Sequence, residues 1–187
     1  MRRSNVKRAG AGPILDSMPI SAETLRLHLD YTAWASNRLL DAAAGLSLEE
    51  RERDFGTADK SVVGTLVHVF GADRIWLARV QGAENGRPGP EYRDLNVLRP
   101  AWQTVVEGWK SWARPLGDED FLREVAYRDL QGYPWRTPLW QIVLHVVNHG
   151  THHRGQAAGF LRAMGHTPPP LDLIAYYRSL GSAAGAP

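Results

Sequence analysis

Cysteine is absent from the 187 residues of this chain. The protein therefore has no disulfide framework and no thiolate metal site, and any bound metal must be held by nitrogen and oxygen ligands. Such ligands suit zinc, nickel, iron or manganese. No run of about 18 apolar residues occurs, so we expect no membrane span. Glycine-rich phosphate loops are missing too, since neither GxGxxG nor GxxxxGK followed by Ser or Thr is found.

A basic surplus that could neutralise phosphates is also lacking. The net charge of +2 depends on four bases within the first eight residues. Without residues 1–17, which hold those bases and Asp16, the net charge is −1. We therefore expect no nucleic-acid partner. Residues 1–17 have no apolar segment of the secretory type, and we predict a disordered or non-native tail, with Met18 as an alternative start of translation.

The composition is that of an ordinary soluble globular protein, with 43% hydrophobic and 22% charged residues. The length suffices for one domain with a single core. We predict one domain over residues 18–180, a frayed end over residues 181–187, and a cytoplasmic protein without a membrane partner.

The longest amphipathic pattern is LWQIVLHVVNHGTHHRGQAAGFLRAM, residues 139–164. As a helix it puts these residues on one face, in steps of three or four: Leu139, Ile142, Val146, His149, His153, Ala157, Phe160 and Met164. Two of them are histidines one helical turn apart, with side chains that lean the same way. Both imidazoles could therefore bind one metal ion.

This segment offers four candidate ligands, His145, His149, His152 and His153. The apolar side chains centre near Val146, which places His153 inside the apolar stripe and His149 near its edge. We favour His149 with His153, and the pair His145 with His149 is the weaker alternative. The competing interpretation is structural, with buried histidines that fill the core and need their own hydrogen-bond partners.

A third histidine lies in the second long helical pattern, SVVGTLVHVFGADRIWLARVQG, which Ser61 opens and Gly82 closes. This pattern is apolar nearly all round, which marks a central helix of a bundle. Its periodicity does not show which way His68 points. Taken alone, His68 is a core histidine; taken with His149 and His153, it is the natural third ligand.

Caps and breakers predict the remaining elements. Ser21 caps a first helix that runs to residue 44 and stops at Gly45 in the C′ position. A capping box at Ser47 opens a short helix that ends near Asp54. After a loop over residues 83–99 come a third helix with Pro100 in its first turn, a hairpin with strands around Val125–Tyr127 and Tyr133–Trp135, and a last short helix in LDLIAYYRSL.

Three imidazoles from two helices are typical of a catalytic metal site, because structural zinc is usually closed by four protein ligands. The HExxH pattern of zinc proteases is absent, since the segment reads HGTHH and offers no glutamate as general base.

We also predict roles for three polar residues near these histidines. Asp73 lies about 140° from His68 around the helix, so we expect a structural pairing with an arginine such as Arg154. Arg154 could instead be an anion hook near the metal. Gln156, three residues after His153, could orient its ring.

The segment HVVNHGTHHRGQAAGFLRAMGHTPPPLDLIAYYR resembles the C-terminal signature of the DinB/YfiT-like proteins. The upstream segments YTAWASNRLL and TLVHVFGADRIWLARVQG are similar to the first- and second-helix motifs of that family, in the same order. The resemblance covers residues 21–180.

This resemblance implies an all-α fold, an antiparallel four-helix bundle, to which the caps above add short extra helices and one small β-hairpin. It implies a homodimer and a divalent metal, commonly zinc or nickel, held by one histidine of the second helix and two of the late helix. Carried over by position, these ligands are His68, His149 and His153. The better-understood relatives are transferases and isomerases that act with low-molecular-weight thiols, and some members are regarded as metal-dependent hydrolases.

We therefore expect a divalent-metal protein with a small-molecule substrate, in the first place a thiol S-transferase or isomerase. The alternatives are a metal-dependent hydrolase, a non-catalytic metal- or ligand-binding stress protein, and a structural helical dimer. For the enzyme, we predict a pocket lined by Tyr31, Trp34 and Trp76.

Overall fold

The structure is a computed structural model that describes residues 20–83 and 86–183. Its four long helices are α1 (Ala22–Ala44), α3 (Val62–Val80), α4 (Leu95–Ala113) and α6 (Leu139–Ala163). The shorter elements are α2 (Leu48–Glu52), a 3₁₀ turn (Pro90–Arg93), α5 (Asp118–Leu122), β1 (Glu124–Arg128), β2 (Pro134–Pro138) and α7 (Leu173–Ala183). The predicted helical fold with one small hairpin is thereby confirmed. The predicted tail over residues 1–17 lies outside the described residues.

The long helices form a four-membered ring in which α6 and α4 each pack against both α1 and α3. Helices α3 and α6 are antiparallel, because His68 meets His149 while Trp76, further along α3, meets the earlier His145. Helices α1 and α4 are antiparallel as well, as their ion pairs Asp30–Lys110 and Asp41–Arg99 show. The core between these helices is built from Leu, Val, Ile, Phe and Trp side chains.

Helices α3 and α4 run in the same direction. Phe70 contacts Trp102, and Leu77, two turns later, packs on Gly108. A Cβ on Gly108 would lie 2.6 Å from Leu77 Cδ2, so this glycine permits the close approach of the helices. The segment between the two helices must therefore return along the bundle before α4 begins.

Side-chain caps mark the beginnings of α1 and α3, whereas α6 begins after Pro138 without one. Ser21 accepts from the backbone N–H of Thr24, and Ser61 accepts from that of Gly64. Ser47 forms a capping box with Glu50, as predicted. The expected left-handed C′ glycine after α1 is wrong, since Gly45 has a right-handed φ of −78° and is itself the C-cap.

Helix α4 begins at Leu95, five residues before the predicted start at Pro100. The Asp94 carboxylate caps it by accepting from the backbone N–H of Asn96, 2.8 Å away. Pro100 then lies in the second turn, where it removes one backbone hydrogen bond and the helix continues. The proline was therefore a misleading start signal, and the loop before α4 is shorter than predicted.

The hairpin pairs β1 with β2 in antiparallel register, from Glu124 opposite Pro138 to Arg128 opposite Pro134. The Asp129 carboxylate shapes its turn by accepting from the backbone N–H of Tyr133 at 2.9 Å. Tyr133 therefore belongs to the turn and not, as predicted, to the second strand. The hairpin packs on α3 and on the start of α6.

Helix α7 extends three residues beyond the predicted end at Leu180 and packs against α1. None of the helices in the described part of the chain is long and apolar enough to cross a membrane.

Asp73 is a buried carboxyl at the contact between α3 and α4. Its Oδ2 accepts from the indole N–H of Trp102 at 2.9 Å, while Oδ1 has no hydrogen-bond partner among the described residues. Trp109 donates to the backbone oxygen of the same residue at 3.1 Å. The predicted ion pair with Arg154 is absent from the described part of the chain, because no contact within 4.0 Å joins the two side chains. The carboxyl of Asp73 is thus hydrogen-bonded through Oδ2 by the indole of Trp102.

Burial raises the pKa of Asp73 from 3.8 to about 7, against the lowering effects of Trp102 and Arg154. The folded protein therefore keeps this proton over a pH range in which the unfolded chain has lost it. This contribution to stability is full below pH 3.8 and is lost as the pH rises to about 7.

We predict that Asp73→Asn removes this pH dependence. Between about pH 4 and 7, the wild type should lose roughly 1.4 kcal/mol of unfolding free energy per pH unit through this group, and the variant should not. Urea unfolding over that range measures the difference. Asp41→Asn, which changes an exposed carboxylate on α1, is the control. An unchanged slope in Asp73→Asn would refute the assignment.

Candidate metal centre

Three imidazoles converge between α3 and α6. His68, His149 and His153 each offer a nitrogen, and these atoms all lie within 4.8 Å of one another. Nε2 of His68 is 3.1 Å from Nε2 of His149. Two nitrogens at this distance can share a proton, and they can equally lie about 2.0–2.1 Å from one zinc ion. The donor set therefore fits a divalent metal.

The two helices bring these histidines together by simple geometry. His149 and His153 lie one turn apart on α6, and their ring centroids are 4.5 Å apart. His68 comes from the middle of α3, with its ring centroid 4.3 Å from that of His153. His145 is one turn further away, and its ring contacts Trp76 edge-on. The pair favoured from the sequence is thus the one that faces His68.

A carboxylate that the sequence analysis missed lies behind the three rings. Oδ1 of Asp59 is 3.3 Å from Nδ1 of His68, and Oδ2 is 3.4 Å from Nδ1 of His153. An imidazole whose Nδ1–H faces a carboxylate presents the lone pair of Nε2 on the opposite side. One side chain thus favours the ligand tautomer of two histidines at once. Metal-binding histidines very commonly have such a carboxylate partner.

The loop between α2 and α3 holds Asp59 in place. The backbone N–H of Phe55 donates to the oxygen of Lys60 at 2.7 Å, which closes the loop. Lys60 has a left-handed φ of 64°, a strained conformation for a residue with a side chain. The backbone oxygen of Asp59 lies so close to α3 that a Cβ on Gly64 would come within 2.0 Å of it. Gly64 is therefore required for this loop position.

Gln156 contacts the ring of His153 as the spacing suggested. Its Oε1 is 2.7 Å from Nδ1 of His153, so it accepts the same proton that faces Asp59. Nδ1 of His149, in contrast, is buried without a hydrogen-bond partner among the described residues. The hydrogen-bonding contact of the His149 ring is therefore the one at Nε2, which faces Nε2 of His68 at 3.1 Å.

The surroundings favour neutral imidazoles, which are the form that binds metals. Burial, and then the neighbouring histidines, lower the pKa of His149 to about 3. Burial also lowers the pKa of His68, while Asp59 opposes this effect. The side chain of His68 is still 41% exposed. The centre therefore lies at the surface of the bundle, where a small molecule can approach it.

A second residue missed from the sequence is Arg87, in the segment that leads to α4. Its positive charge adds to the lowering of the His68 pKa. Pro88 packs so tightly on α3 that a Cβ on Gly71 would lie 2.8 Å from the proline ring. Gly71 is one turn from His68, so this contact keeps Arg87 beside the centre.

Of the predicted pocket aromatics, Trp76 is near the centre and the other two are not in contact with it. Trp76 packs against His145, whose ring centroid is 5.7 Å from that of His149. Tyr31 and Trp34 pack with Tyr176 of α7 in a separate apolar cluster. For these two, the contacts support a core role, and the pocket role stays a prediction.

Arg154 is almost fully buried, at 1% exposure. It donates to the hydroxyls of Ser36 at 3.3 Å and Thr151 at 3.2 Å, and its guanidinium lies over the ring of Tyr31. A Cβ on Gly150 would lie 2.6 Å from Arg154 Nη1, so the glycine makes room for this side chain. These contacts favour the structural role of Arg154 over that of an anion hook.

We predict that Asp59→Asn weakens zinc binding by about 10- to 100-fold, the usual effect of losing a carboxylate behind ligand histidines. An amide cannot accept from two Nδ1–H groups in the way a carboxylate does. Calorimetric titration of the metal-free protein with Zn²⁺ measures the change. Asp54→Asn, in the same loop but exposed and paired with Lys60, is the matched control. Equal affinities of the two variants would contradict the role of Asp59.

Comparisons with known proteins agree with the fold and identify the family. The family model described as "DinB family" matches residues 18–182. Protein DinB of Bacillus subtilis (strain 168) is 22% identical over 156 residues, which cover 79% of this chain and 90% of that protein. The crystal structure of a DinB-like protein from Bacillus cereus ATCC 10987 superposes with a TM-score of 0.55 at 20% identity, over 76% of this chain and 94% of that one. The chain belongs to the DinB family.

Proposed function

We propose that this DinB-family protein binds one divalent metal ion, zinc or nickel, through His68, His149 and His153 and catalyses thiol S-transfer or isomerisation on a small molecule. The observation that carries the proposal is the convergence of three imidazoles at an accessible point, with Asp59 as the one carboxylate in contact with them among residues 20–83 and 86–183. Three protein ligands are the number found in catalytic zinc sites, where a position is kept for a further ligand.

Each residue at the centre has a distinct task in this proposal. The three imidazoles would hold the ion through Nε2, while Gln156 accepts the Nδ1–H proton of His153 and the Asp59 carboxylate faces Nδ1 of His68 and of His153. A divalent ion bound there supplies Lewis acidity, which lowers the pKa of a thiol or a water and polarises a carbonyl. The accessible side of His68 defines the direction from which substrate approaches.

The absence of a free carboxylate favours a thiol over water as the nucleophile. Within the described part of the chain, Asp59 is the only carboxylate in contact with the three histidines, and it already faces two Nδ1 atoms. Hydrolysis usually needs a general base to take the proton of water. A thiol has a pKa of about 8.5, far below that of water at about 15.7, so it needs much less activation. Because the chain has no cysteine, the thiol must come from a low-molecular-weight cosubstrate.

We predict that His149→Ala abolishes stoichiometric metal binding. The protein is purified without a nickel column, and bound metals are measured by inductively coupled plasma mass spectrometry. His152→Ala is the matched control, because His152 is on the same helix but outside the three-nitrogen group. It should retain one ion per chain. If the wild type bound no metal after incubation with Zn²⁺ or Ni²⁺, that result would instead favour a structural helical protein whose histidines fill the core.

The activity prediction uses a low-molecular-weight thiol and the electrophile 1-chloro-2,4-dinitrobenzene. The metal-loaded wild type should form the thioether at least about 100-fold faster than His149→Ala, because Lewis-acid activation is worth several kcal/mol. Equal rates would dispose of the transferase proposal. Turnover of an ester without thiol would favour the hydrolase, and metal binding without any turnover would favour a binding protein.

A further inference from the structure

A cleft of about 1050 Å³ lies between the end of α3 and the hairpin, apart from the three histidines. Its walls include Ile75 and Arg79 of α3 and Tyr127, Arg128, Trp135 and Arg136 of the hairpin. We infer that this cleft binds a small aromatic anion, with Arg79 holding the carboxylate or sulfonate and Trp135 stacking on the ring. This inference does not rest on the proposed metal chemistry.

The charge of the cleft selects an anion. Three arginines line it, and the one acid among the lining residues, Asp129, already accepts from the indole N–H of Trp135 and from the turn backbone. Arg136 faces Glu124 at 3.5 Å. For Arg79, no carboxylate of the described residues lies within 4.0 Å. Its charge is therefore available to a ligand.

Arg79 is held ready for this role. Its guanidinium lies 4.4 Å from the ring centroid of Trp76 and 4.7 Å from that of Tyr127, and Nη2 donates to the backbone oxygen of Arg128 at 3.0 Å. Partial burial lowers the pKa of Arg79, while the electrostatic influence of Tyr127 and Asp129 partly opposes this effect. A carboxylate that accepts from the remaining N–H groups would form a charge-assisted pair on a side chain that is already ordered.

The side chain of Trp135 would bind the aromatic ring of the ligand. Trp135 is 55% exposed, yet its indole N–H is fixed by Asp129 at 2.8 Å. An exposed indole in a fixed orientation offers a flat apolar face at low entropic cost. The cleft volume is also of the size that takes small molecules, about 300–1000 Å³. A planar ring with an attached anion matches both features.

The cleft and the candidate metal centre are both close to Trp76, but they have no lining residue in common. Trp76 lies between them, with its ring contacting His145 on one side and Tyr127 on the other. His68 and Arg79 are eleven residues apart on α3, which is about 16 Å along the axis. A single-ring or two-ring anion bound to Arg79 therefore does not touch the three histidines, and its binding should not require metal.

The test uses the full chain and 2-naphthoate, with uncharged 2-naphthamide as the comparison. The indole N–H resonances of the seven tryptophans are followed in ¹H–¹⁵N spectra, and Trp135 is assigned with Trp135→Phe. Naphthoate should shift the Trp135 resonance saturably and bind about 10- to 100-fold more tightly than naphthamide, the range expected for a charged hydrogen bond.

Arg79→Gln should reduce the affinity for naphthoate to that for naphthamide, while Arg79→Lys should retain part of the affinity for naphthoate. Arg99→Gln, which makes the same charge change on α4, is the control and should bind like wild type. His149→Ala should also bind like wild type, which separates this inference from the metal proposal. Equal binding of acid and amide, equal binding by Arg79→Gln and wild type, or shifts confined to other tryptophans would each overturn it.

Discussion

The packing of α3 against α6 is the contact on which the candidate site depends. Because the two helices are antiparallel, one histidine from the middle of α3 meets two that are a turn apart on α6. The rings could still rotate away from one another. Asp59 opposes this by facing Nδ1 of His68 and of His153 together, from a loop that Gly64 allows to lie directly on α3. Helix packing supplies proximity, and the loop supplies orientation.

A second constraint is the number of polar groups inside a small bundle. Asp73 accepts from the indole of Trp102, and Arg154 donates to two hydroxyls and lies over the face of Tyr31, while Asp73 Oδ1 and Arg154 Nε have no hydrogen-bond partner among the described residues. Neither forms the ion pair that charge alone would suggest, although each still influences the pKa of the other across the core. Buried charges without a direct partner cost stability. Such residues indicate that the positions of polar groups in this core are not chosen for maximal stability alone.

Periodicity was sufficient to find the four long helices and to choose among the histidines of α6. The stripe on α6 selected His149 and His153 over His145, and the structure puts that pair opposite His68. Asp59 could not be found in this way, since it lies in a loop, where no repeat links sequence position to direction. The start of α4 was predicted wrongly for a related reason: the cap at Asp94 is a local signal, and the stronger proline signal six residues later obscured it.

Metal binding and folding are linked in such an arrangement. Three imidazoles share one region, and Nδ1 of His149 is buried without a partner in the described part of the chain, so the metal-free core holds polar groups whose interactions are incomplete. An ion that binds the folded state and not the unfolded chain adds RT ln(1 + [L]/Kd) to the free energy of unfolding. If the proposed ion binds there, the three imidazoles of His68, His149 and His153 would link metal binding to the free energy of unfolding.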